Sequence, residues 1–301
     1  MKLSVFGSSE IIYHHIRAAK KNSFSIFGIY SSNKNSKNVK KIAKKFSIKR
    51  IYYDWKSLIK DSSKNNCSVL IAGRIKDNKK ILIDALKHNF KILIEKPIFT
   101  ETKTFNKFLK YKKNIFTGYN RIFYTGIAEL KKITNIKKTL NINVRCPEIN
   151  KDNIILNTCH IISIIYYLYG KITLKKKIYN KDYIFCIFQT KNNINIFINI
   201  NYGSPDNFSI EFNFKNNRIV VSPIEELNVY DKLIKRKFKK NNIYIPTISK
   251  AINEYKLSNI KPGFDKQYSN FKKFVKNKKS LFMSIADSKE IISICNQIAN
   301  K

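Results

Sequence analysis

The chain has 301 residues, 59 Lys and Arg against 20 Asp and Glu, a formal net charge of +39 and 43% hydrophobic residues. That length can bury a sizeable core and suits two domains better than one, and no run of about 18 apolar residues is present to cross a bilayer. Five cysteines (Cys67, Cys146, Cys159, Cys186 and Cys295) are scattered, odd in number and without a C-x-x-C pair, which argues against a disulfide framework or a structural zinc site.

Lysine is spread through every segment beside Asn and Ile, all three encoded by AT-rich codons, instead of being gathered into one arm or stripe. The charge therefore reads as a solvated surface and not as a specific nucleic-acid footprint. It would still steer anionic small molecules toward the protein. A chain that opens directly on a strand, without a signal peptide, is expected in the cytoplasm.

Lys2-Leu3-Ser4-Val5-Phe6 reads as a strand ending in Gly7, and residues 11–20 then carry apolar side chains at helical spacing. Strand, glycine turn and helix in that order open a dinucleotide-binding fold, whose full fingerprint is G-x-G-x-x-G. Here the three positions hold Gly7, Ser9 and Ile12, so the first tight turn is kept and the other two glycines are lost. The amides that start the helix, around Glu10, and the hydroxyls of Ser8 and Ser9 remain to hold a phosphate. His14 and His15 read as ordinary helix-surface or packing residues.

Residues 24–30 form the second expected strand, followed by Ser31-Ser32-Asn33-Lys34. A site selective for NAD usually places an acid there to grip the ribose 2′-hydroxyl. Ser31 stands in its place, with Lys34 and Lys37 behind it, which favours NADP over NAD. Ser36 caps a helix presenting Val39, Ile42, Ala43 and Phe46, and Asp54 caps one carrying Trp55 and Leu58. Residues 67–72 make an apolar strand that ends at Ala72 and passes into Gly73-Arg74, and residues 78–89 make the next helix.

Lys91-Ile92-Leu93-Ile94-Glu95-Lys96-Pro97 is the stretch on which the chemistry turns. Its apolar residues fit a buried parallel strand, and an acid and a base follow where the strand leaves the sheet, the edge at which open α/β sheets bind ligands. Pro97 biases Lys96 toward an extended backbone, a rigid mount for a catalytic ammonium. Residues 114–117 close the sheet. Residues 1–118 thus form an α/β Rossmann-type doubly wound parallel sheet.

Past that point the alternation stops. Residues 125–136 are expected to be helical, 139–145 a strand, and 157–169 a helix that ends on Gly170 as a left-handed stop and carries His160 in its first turn. Runs rich in β-branched and aromatic residues at 172–179, 183–189, 194–201, 208–214 and 218–221 then predict an open, mainly antiparallel sheet with helices on one face. Its free face is expected to pair with a second copy, giving a homodimer or homotetramer. The basic run at 232–240 reads as a mobile solvated loop. Phe264, Phe271 and Phe274 mark an amphipathic helix, and Asp287 with Glu290 suggests the capping box of the last one. Residues 119–301 are assigned to this second, α+β domain for substrate binding and oligomerisation.

The strand and glycine at the N-terminus, Ile94-Glu95-Lys96-Pro97, Gly118-Tyr119-Asn120-Arg121-Ile122-Phe123, Asn157-Thr158-Cys159-His160 and Lys261-Pro262-Gly263-Phe264 with Gln267 form an ordered set. It resembles the glucose-fructose oxidoreductase / inositol dehydrogenase (Gfo/Idh/MocA) family. The resemblance implies an NAD(P)-dependent oxidoreductase acting on the CH–OH group of a sugar, cyclitol or nucleotide-linked sugar, without a metal. It implies Lys96 and His160 as catalytic residues, Lys96 orienting the reacting hydroxyl and His160 exchanging its proton. Cofactor residues would be Gly7, Ser8, Ser9, Glu10, Ser31, Ser32, Asn33, Ala72, Gly73, Arg74, Glu95, Lys96 and Arg121. Lys96, Asn120, Arg121, Asn157 and His160 would bind substrate. The chain departs from the pattern at the phosphate-loop glycines, at Ile122 where a second arginine is common, and at Leu156 and Ser163 where acids often flank the histidine. Those losses also fit a catalytically impaired relative that binds a nucleotide or sugar.

Overall fold

The computed structural model describes residues 1–239 and 241–300. The chain divides into two units, one of residues 1–120 with 263–293 and the other of residues 121–262 with the chain from Ile294 onward. The sequence reading gave everything after 118 to the second domain, but 263–293 belong with the first unit, for a reason visible in their aromatic side chains.

The first unit alternates β1 (Lys2–Phe6), α1 (Glu10–Lys21), β2 (Ser25–Tyr30), α2 (Lys37–Phe46), β3 (Ile51–Tyr52), α3 (Trp55–Lys64), β4 (Ser68–Ile71), α4 (Ile75–Lys87), β5 (Ile92–Glu95), the short α5 (Thr102–Phe105) and β6 (Ile115–Gly118). All six strands pair in parallel in the order β3-β2-β1-β4-β5-β6. Ser68, Val69, Leu70 and Ile71 are all buried, as are Ile92, Leu93 and Ile94, as expected of strands covered on both faces. The expected caps form: Ser36 Oγ accepts from Val39 N at 3.4 Å, and Asp54 Oδ2 from Ser57 N at 2.9 Å.

In the second unit, α6 (Thr125–Ile136), β7 (Thr139–Glu148) and α7 (Lys151–Asn153) lead through a π-helical turn at Ile154–Thr158 into α8 (Cys159–Tyr169). Helical backbone thus begins ahead of the expected 157, because Asn150 Oδ1 caps it by accepting from Asp152 N and Asn153 N. Gly170 ends α8 at φ +73° and ψ −148°, outside the left-handed helical region expected of it but in one that glycine alone occupies readily.

Strands β8 (Ile172–Tyr179), β9 (Tyr183–Thr190), β10 (Asn195–Tyr202), β11 (Ser209–Phe214), β12 (Arg218–Val221), β13 (Glu226–Phe238) and β14 (Asn241–Asn253) follow. With β7 they form an eight-stranded sheet in the order β14-β13-β12-β11-β7-β10-β9-β8. Every pairing is antiparallel except β7 with β10. Burial alternates along β9 and β10, so Ile184, Cys186, Phe188, Ile196, Ile198 and Ile200 face the core while Phe185 and Phe197 stack at 6.4 Å on the opposite face. The run at 232–240 is no loop: as far as residue 238 it is the outer half of β13, hydrogen-bonded to β14, because Leu233, Ile234 and Phe238 interleave the lysines and favour a strand. Lys240 lies outside the described residues.

The remaining helices are α9 (Glu254–Leu257), α10 (Phe264–Val275) and α11 (Ile285–Ala299). Ser284 caps α11, with Asp287 Oδ2 accepting from Ser284 N at 2.7 Å and Ser284 Oγ from Asp287 N at 3.2 Å. The capping box is therefore Ser284 with Asp287, not Asp287 with Glu290. α10 buries Phe264, Tyr268, Phe271 and Phe274 in the first unit. Phe271 stacks on Phe24 at 5.8 Å and meets Phe116 edge-on at 5.6 Å, so the helix fills the gap between α1, the start of β2 and β6. Phe271→Ala should destabilise the first unit by about 3–5 kcal/mol, read as a fall in its urea midpoint.

Candidate active site

The order of the first sheet reverses at β1, with β2 on one side and β4 on the other, the switch point at which open α/β folds take their ligands. A cavity of about 410 Å³ opens there at the carboxyl ends of the strands. It brings together Gly7, Ser8 and Ser9 from the β1–α1 turn, Ser31, Ser32 and Asn33 after β2, and Ala72, Gly73 and Arg74 after β4. Glu10 heads α1, is exposed and does not line it.

The turn explains why its first residue is glycine. Gly7 sits at φ +145°, and a Cβ there would lie 2.5 Å from the carbonyl oxygen of Ala72. Ser9 caps α1 in an extended conformation without a side-chain hydrogen bond to the helix, so amides of the first turn face the carboxyl edge of the sheet without a side-chain cap. Ser8 Oγ and Ser31 Oγ are 3.1 Å apart, which ties the β1 turn to the end of β2. Arg74 Nη2 donates to Ser32 Oγ at 3.3 Å, while its Nε donates to Asp77 Oδ2 at 3.1 Å. A helix start, clustered hydroxyls and a guanidinium at the end of β2 fit the pyrophosphate and adenosine ribose of a dinucleotide.

Two strands along, Glu95 ends β5 and Lys96 follows it, both partly buried, with a cis bond between Lys96 and Pro97. Glu95 is gripped from two sides. A Cβ on Gly118 would lie 2.9 Å from Glu95 Oε1, so β6 can approach only because that residue is glycine. On the other side, Nε2 of the fully buried His15 lies 3.0 Å from Glu95 Oε1, and its Nδ1 is 3.0 Å from the Tyr268 hydroxyl. Burial, and then the negative charge of Glu95, push the Tyr268 phenol well above its ordinary pKa, so it stays protonated and donates to Nδ1. Asn120, 7% exposed, closes the first stretch of this unit.

In the second unit, Arg121 has Nη2 3.9 Å from Glu225 Oε1, to which the Tyr124 hydroxyl donates at 3.2 Å. Arg121 Nη1 is buried and has no hydrogen-bond partner among the described residues, a donor directed at no protein acceptor. Burial pushes the Tyr124 phenol up and keeps it a donor to Glu225. His160 is the second residue of α8 and partly buried, and its carbonyl accepts from Ser163 Oγ at 2.7 Å. Asn157 and Thr158, in the π-helical turn before it, both donate to Glu148. Cys159 is buried, with its thiol 3.5 Å from the Leu156 carbonyl oxygen.

Lys96 thus belongs to the first unit and His160 to the second. Sequence reasoning missed His15, Glu148 and Glu225. A signal for His15 existed: it shares the buried face of α1 with Ile12, Ile16 and Ala19, where an ionisable side chain needs a partner.

The Gfo/Idh/MocA family model, an oxidoreductase family with an NAD-binding Rossmann fold, matches residues 1–116. No curated protein matches the sequence. Among solved structures, the dehydrogenase MviM from Clostridium difficile is similar at 16% identity and a TM-score of 0.79, covering 100% of this chain and 99% of that one. Levoglucosan dehydrogenase in complex with NADH and levoglucosan is similar at 15% identity and a TM-score of 0.78, covering 99% and 96%. UDP-N-acetylglucosamine 3-dehydrogenase GnnA from Acidithiobacillus ferrooxidans is similar at 11% identity and a TM-score of 0.74, covering 99% and 96%. At these identities the structural likeness is one of fold, and it extends along essentially the whole chain. Residues 1–116 thus match the Gfo/Idh/MocA oxidoreductase model, and the fold of the whole chain is similar to that of these dehydrogenases.

Proposed function

We propose that the protein interconverts a carbinol and a carbonyl on a sugar-like substrate, using a nicotinamide dinucleotide as redox partner. The observation that carries this reading is the carboxyl edge of the first sheet, where a cavity lined by turn, hydroxyl and guanidinium groups lies on the same edge as Glu95 and Lys96. A bound nicotinamide would supply the hydride acceptor or donor. Lys96 donates a hydrogen bond to the reacting oxygen and stabilises the negative charge that grows on it. His160 takes up the hydroxyl proton in oxidation and returns it in reduction, work that suits an imidazole near neutral pH. Arg121 directs its unpartnered Nη1 at a substrate oxygen, with Asn120 and Asn157 as further hydrogen-bonding groups.

The levoglucosan and UDP-sugar dehydrogenases of similar fold support a sugar, cyclitol or nucleotide-linked sugar as substrate. Ser31 at the end of β2, with Arg74 reaching Ser32, favours NADP over NAD, because no carboxylate at that strand end repels a 2′-phosphate. The face of the eight-stranded sheet that carries Phe185 and Phe197 is the surface through which two copies would associate.

Titration with NADPH and NADH, followed by nicotinamide fluorescence, tests the cofactor reading: binding of NADPH at least as tight as NADH is expected, and failure of both to bind would overturn it. Gly7→Ala should weaken either nucleotide tenfold or more, since the new methyl meets the Ala72 carbonyl and the β1–α1 turn must shift. On a substrate found by screening sugars and nucleotide-linked sugars, Lys96→Ala should lower turnover by about 10²–10⁴-fold.

A further inference from the structure

The chain lacks acids at positions 156 and 163, where the family often flanks its histidine, yet a carboxylate does reach the same turn from another element. Glu148 is the last residue of β7, and at 3% exposure it is a buried acid in a chain that has few. Buried carboxylates persist only where hydrogen bonds replace their water. Both of its oxygens are engaged. Thr158 Oγ1 donates to Oε1 at 2.5 Å, and Asn157 Nδ2 donates to Oε2 at 3.1 Å. The carbonyl of Glu148 also accepts from Gly203 N at 2.9 Å, which anchors the end of β7 to the residue after β10.

Asn157 and Thr158 close the π-helical turn, and His160 is two residues further on. A π-turn carries one residue more per turn than the α-helix it joins, so it rotates every following side chain about the helix axis. The grip on residues 157 and 158 therefore sets the direction in which the imidazole of His160 leaves α8. Leu156, where the family's acid would stand, is 38% exposed, and Ser163 is buried with its hydroxyl on the His160 carbonyl, so neither takes that part.

We infer that Glu148 is a positioning residue that replaces the missing acids, holding the turn before α8 through Asn157 and Thr158 and so fixing the rotamer of His160. The inference rests on the reading of His160 as the proton carrier, but its structural content can be measured without a substrate. The chain has four histidines, which makes histidine-selective isotope labelling and NMR tractable, with His160 assigned by loss of its signals in His160→Gln.

In Glu148→Gln and, independently, in Thr158→Val, which keeps the buried volume should the first variant fold poorly, the ring signals of His160 should move and broaden. Those of His14, His15 and His88 should hold their positions. The double variant Glu148→Gln with Asn157→Asp, which moves the carboxylate across the same hydrogen bond, should bring the His160 signals back toward the parent. NADPH should bind each variant within twofold of the parent. Unchanged His160 signals in folded Glu148→Gln and Thr158→Val would overturn the inference, as would equal movement of all four histidines. Loss of NADPH binding by the parent protein would instead strike the redox reading and leave the positioning result standing.

Discussion

The contact between His15 and Glu95 ties together parts of the chain that lie far apart in sequence. A carboxylate at the end of a buried strand loses part of its water, and something must offset that loss. Here one side is closed by Gly118, where only a hydrogen atom fits, and the other by an imidazole whose second nitrogen is held by the Tyr268 phenol. Tyr268 comes from α10, and the contact of its phenol with His15 is one of those that hold residues 263–293 in the first unit and not with the strands that precede them.

Local grammar made most of the fold readable. Strands β1, β4 and β5 are short apolar runs between polar turns, and the helices after them carry a single apolar face, so period and punctuation locate them with little help from tertiary context. The resemblance carried by Glu95-Lys96-Pro97 and His160 then supplied an order in which to place them. What stayed hidden depended on long-range partners. Nothing local distinguishes Glu148 from any acid at a strand end, and its role becomes visible only when Asn157 and Thr158 fold back onto it. The basic run after residue 231 looked like a loop because its charge was conspicuous, while Leu233, Ile234 and Phe238 set among the basic residues were the better guide.

The lost glycines also take on a different meaning. Of the fingerprint positions, Gly7 is the one at which backbone meets backbone at 2.5 Å from a notional Cβ, so it is the one that cannot change without moving the turn. Ser9 stands at the extended N-cap position of α1 without bonding its amides, and Ile12 is fully buried, replacing close helix–sheet approach by side-chain packing. An eroded motif can therefore keep its architecture, provided the glycine under steric compulsion is retained.

The return of residues 263–293 to the first unit bears on how the protein is made. A ribosome delivers β1 to β6 early, but the helix carrying Tyr268 and Phe271 emerges only after the whole of the eight-stranded sheet has been translated. Until then the floor beneath Phe24, Phe116 and His15 lies open, and that apolar surface is exposed to other nascent chains. The central strand β7 waits as well, since both its neighbours, β10 and β11, lie downstream of it. Translation rate and chaperone occupancy should thus weigh more heavily on the yield of this protein than on that of a chain whose Rossmann unit closes on itself.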